Sequence, residues 1–291
     1  MPTPALRLLP LAVPLALVAA CSPLRPADRA GDPADARADT TDVDPGLDTT
    51  GPFETTGPVF AGPMRADPVY DAATLVGAMH DRYAGSWYRT ISFTQRTYRR
   101  GPDGTISAET WREWAALPGR LRIEMDDPLE GLDALFVGDS TYYYRDGRLA
   151  AARAERNPLL LWGFDVYAQP PAETLRILEA EGVDLAAFRE DVWDGRRAYV
   201  LGVPETGEVW VERDRMLFVR LVEPGPDGAL QDVRFENYER LGGGWVAPYV
   251  SVRQGDRIVF WEVYSDVVAD PALDPVLFMP RRWADGVAAT R

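Results

Sequence analysis

From residue 88 almost to the C-terminus, apolar and polar residues alternate with a period of two, broken once by a stretch of different rhythm near 157–181. Alternation of that kind predicts half-buried strands. Six are expected in the first run, over 88–100, 107–117, 121–125, 133–137, 141–144 and 148–154, the last pairing back across Asp146-Gly147. Gly101-Pro102-Asp103-Gly104, Pro118-Gly119 and Gly138-Asp139 supply the other turns. Six more follow over 197–203, 208–213, 217–223, 230–239, 245–254 and 257–266. Their turn signals are Asp194-Gly195, Glu205-Thr206-Gly207, the stretch 224–228, the stretch 241–244 and Gly255-Asp256. Helical spacing precedes the first run: Ala72, Leu75, Val76 and Met79 share one face of a helix near 71–84. Between the runs, 157–167 is continuously apolar, 171–181 reads as a helix with Leu175, Ile177 and Leu178, and 185–188 as a further helical turn. Short links between successive strands imply an antiparallel meander large enough to curl. The expected class is mainly β (α+β): a curved antiparallel sheet forming an incomplete β-barrel, with helices covering its concave face.

The N-terminal quarter is different material. Residues 8–20 are apolar, too short and too proline-interrupted for a membrane span of ~20 residues, and end at Cys21, the sole cysteine. Val18-Ala19-Ala20-Cys21 resembles a bacterial lipobox, so 1–20 is expected to be a lipoprotein signal peptide and Cys21 the acylated N-terminus. Residues 21–68 are rich in Pro, Ala, Thr and Asp, repeat Thr-Thr-Gly-Pro at 49–52 and 55–58, and hold little that could form a core. That composition predicts a disordered tether spanning ~35 to 40 Å. The folded domain is expected over 69–284, with 285–291 as a tail. The chain is then exported, lipid-anchored in the cell envelope, and expected at the outer membrane facing the periplasm.

Charge and composition narrow the chemistry. With 31 basic and 45 acidic residues the chain carries a net charge of −14, a field that repels nucleic acid. All the basic residues are arginine, which removes Schiff-base chemistry and the lysine of a phosphate-binding loop. His80 is the sole histidine, on the helix near 71–84, and it lacks triad or zinc partners in sequence. Gly138-Asp139-Ser140 matches the nucleophile block of one esterase class, but no histidine follows it, and it reads as a turn. Gly242-Gly243-Gly244 precedes a strand and not a helix, unlike a phosphate loop. Asp126, Asp127 and Glu130 lack the spacing of a calcium loop. Paired carboxylates and strand aromatics such as Trp111, Trp114, Tyr142 and Tyr144 would suit a glycosidase, yet strand aromatics more often pack across strands. A non-enzyme with no metal and no cofactor is expected.

Several stretches carry a resemblance. They are the opening helix followed by Ser92-Phe93-Thr94-Gln95, then Leu117-Pro118-Gly119-Arg120, Val137-Gly138-Asp139-Ser140 and the aromatic run 141–144. Later come Val209-Trp210-Val211-Glu212-Arg213-Asp214, the stretch 235–238, Gly244-Trp245 and Leu277-Phe278-Met279-Pro280. In this order the chain resembles, over roughly 72–283, the lipoprotein carrier and receptor family of the bacterial envelope: the LolA/LolB-like proteins and the related LppX-type lipid carriers. The resemblance implies a half-barrel whose hollow accepts acyl chains. It also implies an arginine before the proline that ends the second strand, holding a lid closed; here that position is Leu117.

The lid expected from the pattern is 157–164, which could equally be a plug that fills the core. Its Leu160, Leu161, Trp162 and Phe164, together with Ile91, Phe93, Trp111, Leu121, Ile123, Leu135 and Val137 from alternating strand positions, are the candidate cavity residues. Period two says which residues share a face, not which face is concave. Two functions compete. One is a lipid-anchored protein that binds acyl chains of lipids or lipoproteins in sorting or lipid transport. The other is a non-catalytic sensor or interaction module of the same fold, with a packed core and an envelope protein as partner.

Overall fold

A computed structural model describes residues 68–125 and 132–290. Cys21, the signal, the tether, and Asp126, Asp127 and Glu130 lie outside the described residues.

Helix α1 (Ala72–Tyr83) begins where Asp71 and Thr74 cap each other. Thr74 N–H donates to Asp71 Oδ1 (2.8 Å) and Asp71 N–H donates to Thr74 Oγ1 (3.1 Å). Its apolar stripe, Leu75, Val76, Met79 and Tyr83, is buried. Six strands follow: β1 (Thr90–Arg100), β2 (Ile106–Ala116), β3 (Arg120–Met125), β4 (Leu132–Val137), β5 (Ser140–Arg145) and β6 (Arg148–Arg153). Next come α2 (Pro158–Gly163), a 3₁₀ turn (Asp165–Tyr167) and α3 (Pro171–Ala180). The second run holds β7 (Phe188–Trp193), β8 (Arg196–Val203), β9 (Gly207–Glu212), β10 (Leu217–Pro224), β11 (Leu230–Glu236), β12 (Glu239–Leu241), β13 (Gly244–Val246), β14 (Tyr249–Gln254) and β15 (Arg257–Ala269). Two 3₁₀ turns and α4 (Trp283–Ala289) end the chain.

Thirteen strands form one sheet in the order β6-β5-β4-β3-β2-β1-β15-β14-β11-β10-β9-β8-β7, and β12 pairs with β13 apart from it. The strand pairs are antiparallel. The sheet is curved and does not close. Register shifts at Ser92/Thr94, Phe218/Arg220 and Val252/Arg253 mark the bulges that bend it. Because β1 pairs with β15, the two open edges are β6 and β7, which are consecutive in sequence. The link between them, 154–187, carries α2, the 3₁₀ turn and α3 over the concave face, where their apolar side chains join the main core.

Asp146-Gly147 and Asp194-Gly195 form the expected hairpin turns, with φ values of 50° and 69°, and 48° and 71°. Three expectations change. Residues 185–188 form no helix; Asp184 Oδ1 accepts from Ala186 N–H in a turn, and Phe188 opens β7. That strand is an edge, largely exposed, so no clean alternation marks it. The stretch 245–254 splits into β13 and β14 around Ala247-Pro248, where proline has no N–H for a ladder. Finally, 285–291 is not a tail as far as it is described, because Gly286 and Val287 of α4 are buried.

The outer face of β2–β5 holds a second core. Ala116, Leu135 and Tyr144 pack against Leu277, Phe278, Trp283 and Val287 of the C-terminal segment. Arg122 is fully buried there, its guanidinium 3.5 Å from the Trp283 ring centre. It pairs with Glu124 (2.8 Å) and donates to the carbonyls of Leu277 (3.2 Å) and Trp283 (3.3 Å). A buried cation needs this many partners. Gly286 makes the approach feasible, since a Cβ there would lie 2.5 Å from Arg122 Nη1.

Candidate functional site: the covered trough

Strand registers identify the inner face. Ile91 lies opposite Ala115, Ala115 opposite Leu121, and Leu121 opposite Phe136. The next inward row runs Phe93, Glu113, Ile123, Ala134. Ile91, Phe93, Trp111, Leu121 and Ile123 therefore share the trough with Leu160, Leu161 and Trp162, all buried in one core. Phe164 packs against it, part-buried.

Leu135 and Val137 do not belong there. They occupy the alternate positions of β4, Leu135 opposite Arg122, and pack in the outer core. Ala134 and Phe136 are the inward residues of β4. Since the C-terminal segment covers the outside, β4 is buried on both faces and its alternation is blurred. Sequence reasoning also left out the second half of the trough: Tyr199, Val209, Val211, Phe218, Leu221, Val233, Phe235, Val250 and Val252. The same period-two rule would have grouped them strand by strand.

The cover is built for apolar contact. Asn157 Oδ1 accepts from Leu159 N–H (2.9 Å) and Leu160 N–H (3.1 Å), and Pro158 starts α2. Trp162 stacks over Phe218 with 6.4 Å between ring centres. Gly163 lies flat on Phe235; a Cβ there would be 3.0 Å from Cε1. Tyr167 stacks on Trp87 at 4.0 Å, and its hydroxyl accepts from Phe218 N–H (2.9 Å). Asp165 holds the turn between β2 and β3: Gly119 N–H donates to both carboxylate oxygens at 3.0 Å. Burial pushes this carboxyl up to about 7, against the lowering by Gly119 N–H and by Arg156. Leu117, where the resemblance implied an arginine, is buried. The bond between cover and turn thus comes from the cover's own acid.

Beside the cover opens a cleft of about 60 Å³. Leu161, Trp162, Leu178, Val209 and Leu221 give it apolar walls, and Arg156, Glu181 and Glu223 are its charged groups. Glu223 is 7% exposed, and among the described residues its Oε1 has no hydrogen-bond partner. Burial alone pushes its pKa up to about 7. Opposite it on β11 stands Gln231, buried, whose Oε1 is likewise unpartnered. Both were missed from sequence, although a carboxylate two residues after Leu221 is out of place in an inward-facing apolar set.

Elsewhere along the trough Glu113, Glu262, Gln95, Thr97 and Tyr264 add polar groups to the same face. Tyr264 donates to Glu262 (3.1 Å), and Gln95 donates to Thr97 Oγ1 (2.8 Å). Glu113 is raised by burial and then by the charge of Glu262, and Glu262 is raised by burial.

The chemistry-like motifs have structural roles. Ser140 Oγ bonds Asp139 Oδ1 (3.1 Å) at the turn between β4 and β5, where Gly138 has φ 63°. His80 lies on α1, 3.0 Å from Asp81. Gly243 and Gly244 bring the β12–β13 ribbon onto Ser86 and Trp87, where a Cβ would fall 2.0 Å and 2.7 Å from the nearest atoms.

Among solved structures, the chain is similar to a DUF1329 family protein from Desulfovibrio piger, with 17% identity, 72% of this chain and 95% of that chain covered, and a TM-score of 0.46. It is similar to a domain described as an outer membrane lipoprotein-sorting protein from Vibrio parahaemolyticus, with 14% identity, 72% and 97% covered, and a TM-score of 0.49. It is also similar to a LolA superfamily protein from Nitrosomonas europaea, with 13% identity, 72% and 98% covered, and a TM-score of 0.46. No protein-family model and no curated protein sequence matches the chain.

Proposed function

We propose that this protein is a non-catalytic, lipid-anchored envelope protein that receives acyl chains of lipids or lipoproteins between its concave sheet face and the cover. The anchor is an acylated Cys21 and the location is the outer membrane, facing the periplasm. One observation carries the reading. The cover touches an apolar trough through side chains, and among the described residues no backbone–backbone hydrogen bond joins 157–186 to a strand of the trough's floor. Lifting it breaks no strand ladder and exposes apolar surface that an acyl chain would cover again, at about 25 cal/mol per Å². Its polar attachments include the side-chain bonds of Asp165 and Tyr167 and one from Arg89 Nη1 to the Ala168 carbonyl (3.4 Å).

A second reading has its own support. Leu160, Leu161 and Trp162 are 2–4% exposed and belong to the main core, and the cleft beside them is small. This favours an interaction module whose trough stays filled. One experiment separates the two. The full chain is isolated from the envelope, extracted with organic solvent, and the extract is quantified by mass spectrometry. The acyl-carrier reading expects about one lipid or acylated peptide per chain above that of the Cys21→Ser variant's empty-vesicle control, with the Cys21→Ser variant itself leaving the membrane fraction. A chain that yields no such lipid and takes none up when it is offered overturns that reading in favour of the filled module.

A further inference from the structure

The cleft beside the cover contains more than an apolar wall. Glu223 and Gln231 face each other across the β10–β11 pair, each more than nine-tenths buried, and each with an unpartnered Oε1. Two acceptor oxygens left without donors in an apolar setting are costly unless something supplies the donors. Gly225, just past β10, leaves the room: a Cβ there would lie 2.7 Å from Gln231 Cδ. Glu223 lines the cleft and Gln231 does not, so of this pair the Glu223 side chain is the one a ligand would meet. Burial is what displaces its titration upward. A cation on a ligand would favour the charged form of this acid and pair with it.

Arg156 lines the same cleft; its charge acts on Asp165 and Glu173, and among the described residues its Nε has no hydrogen-bond partner. The cleft therefore presents two acids, Glu181 and Glu223, and one guanidinium along an apolar wall. A guanidinium suits phosphate in particular.

We propose that the cleft selects a zwitterionic aminophospholipid, with its ammonium on Glu223, its phosphate on Arg156, and its acyl chains on the trough. This rests on the acyl-binding reading above and names its ligand class. An anionic lipid would satisfy Arg156 but leave Glu223 unpaired. A lipid with no charged head would satisfy neither end.

The test uses the full chain and a fluorescent fatty acid displaced by three lipids with identical acyl chains: phosphatidylethanolamine, phosphatidylglycerol and diacylglycerol. Phosphatidylethanolamine is expected to displace the probe at a concentration about tenfold lower than phosphatidylglycerol. Glu223→Gln should bring the two within about twofold, and Gln231→Leu serves as a second variant at the same pair. Arg156→Gln should weaken phosphatidylethanolamine relative to a long-chain primary amine. Equal displacement by the two phospholipids, or a preference that survives both Glu223→Gln and Gln231→Leu, overturns the headgroup proposal while leaving acyl binding in place. If the probe does not bind, or none of the three lipids displaces it, the acyl-binding reading itself falls.

Discussion

Asp165 and Glu223 are buried acids that hold their protons up to about pH 7 in the folded chain, against ordinary values of 3.8 and 4.5. Between those limits the folded state binds more protons than the unfolded one. Stability therefore falls as pH rises through that window and levels off above about 7. Glu113 and Glu262, both raised, act in the same direction. The melting temperature of the full chain is expected to be higher at pH 5 than at pH 8. Asp165→Asn combined with Glu223→Gln should make the profile shallower, and an unchanged slope would remove these groups from the account. The acid at 165 was visible in the sequence as the polar end of an apolar stretch. Its bond to Gly119, 46 residues away, was not, because local pattern says nothing about which distant turn an acid will meet.

At the scale of elements, the helix near 71–84 and most of the strands follow from spacing and turn residues, as α1 and the Asp-Gly hairpins illustrate. Legibility fails where an element is buried on both sides or on neither. β4 is covered inside and out, so Leu135 and Val137 look as inward as Ala134 and Phe136. β7 is the opposite case, an exposed edge strand that reads as part of a helical stretch. For α2, continuous apolarity marks burial and leaves lid and plug alike. The seating of α2 on β11 makes a sharper statement, because Gly163 leaves no room above Phe235. Gly163→Val should displace the cover and lower stability by about 1–3 kcal/mol, the usual effect of overpacking. Denaturant unfolding with a dye that reports exposed apolar surface would read both effects. A wild-type midpoint with no added dye binding would mean that the cover can shift without consequence.

For the whole molecule, the decisive contact is β1 with β15, which joins the two strand runs into one sheet and moves its open edges to β6 and β7. The link between those edges then has to cross the hollow. The C-terminal segment does comparable work outside, since it completes the second core and supplies carbonyls to Arg122. Truncation after Asp270 would leave Arg122 without those carbonyls and uncover Leu135 and Tyr144. Loss of cooperative unfolding, or aggregation on expression, is the expected result, and a truncated chain with the full-length melting temperature would contradict it. Sequence alone determined the mainly β class, the opening helix, most turns and the apolar character of the cover, because each depends on residues a few positions apart. The inner face, the closure of β1 on β15, the acid that holds the cover and the Glu223–Gln231 pair were decided only in the tertiary structure. They depend on which surfaces the chain buries against one another, and a periodicity of two is the same whichever side is turned inward.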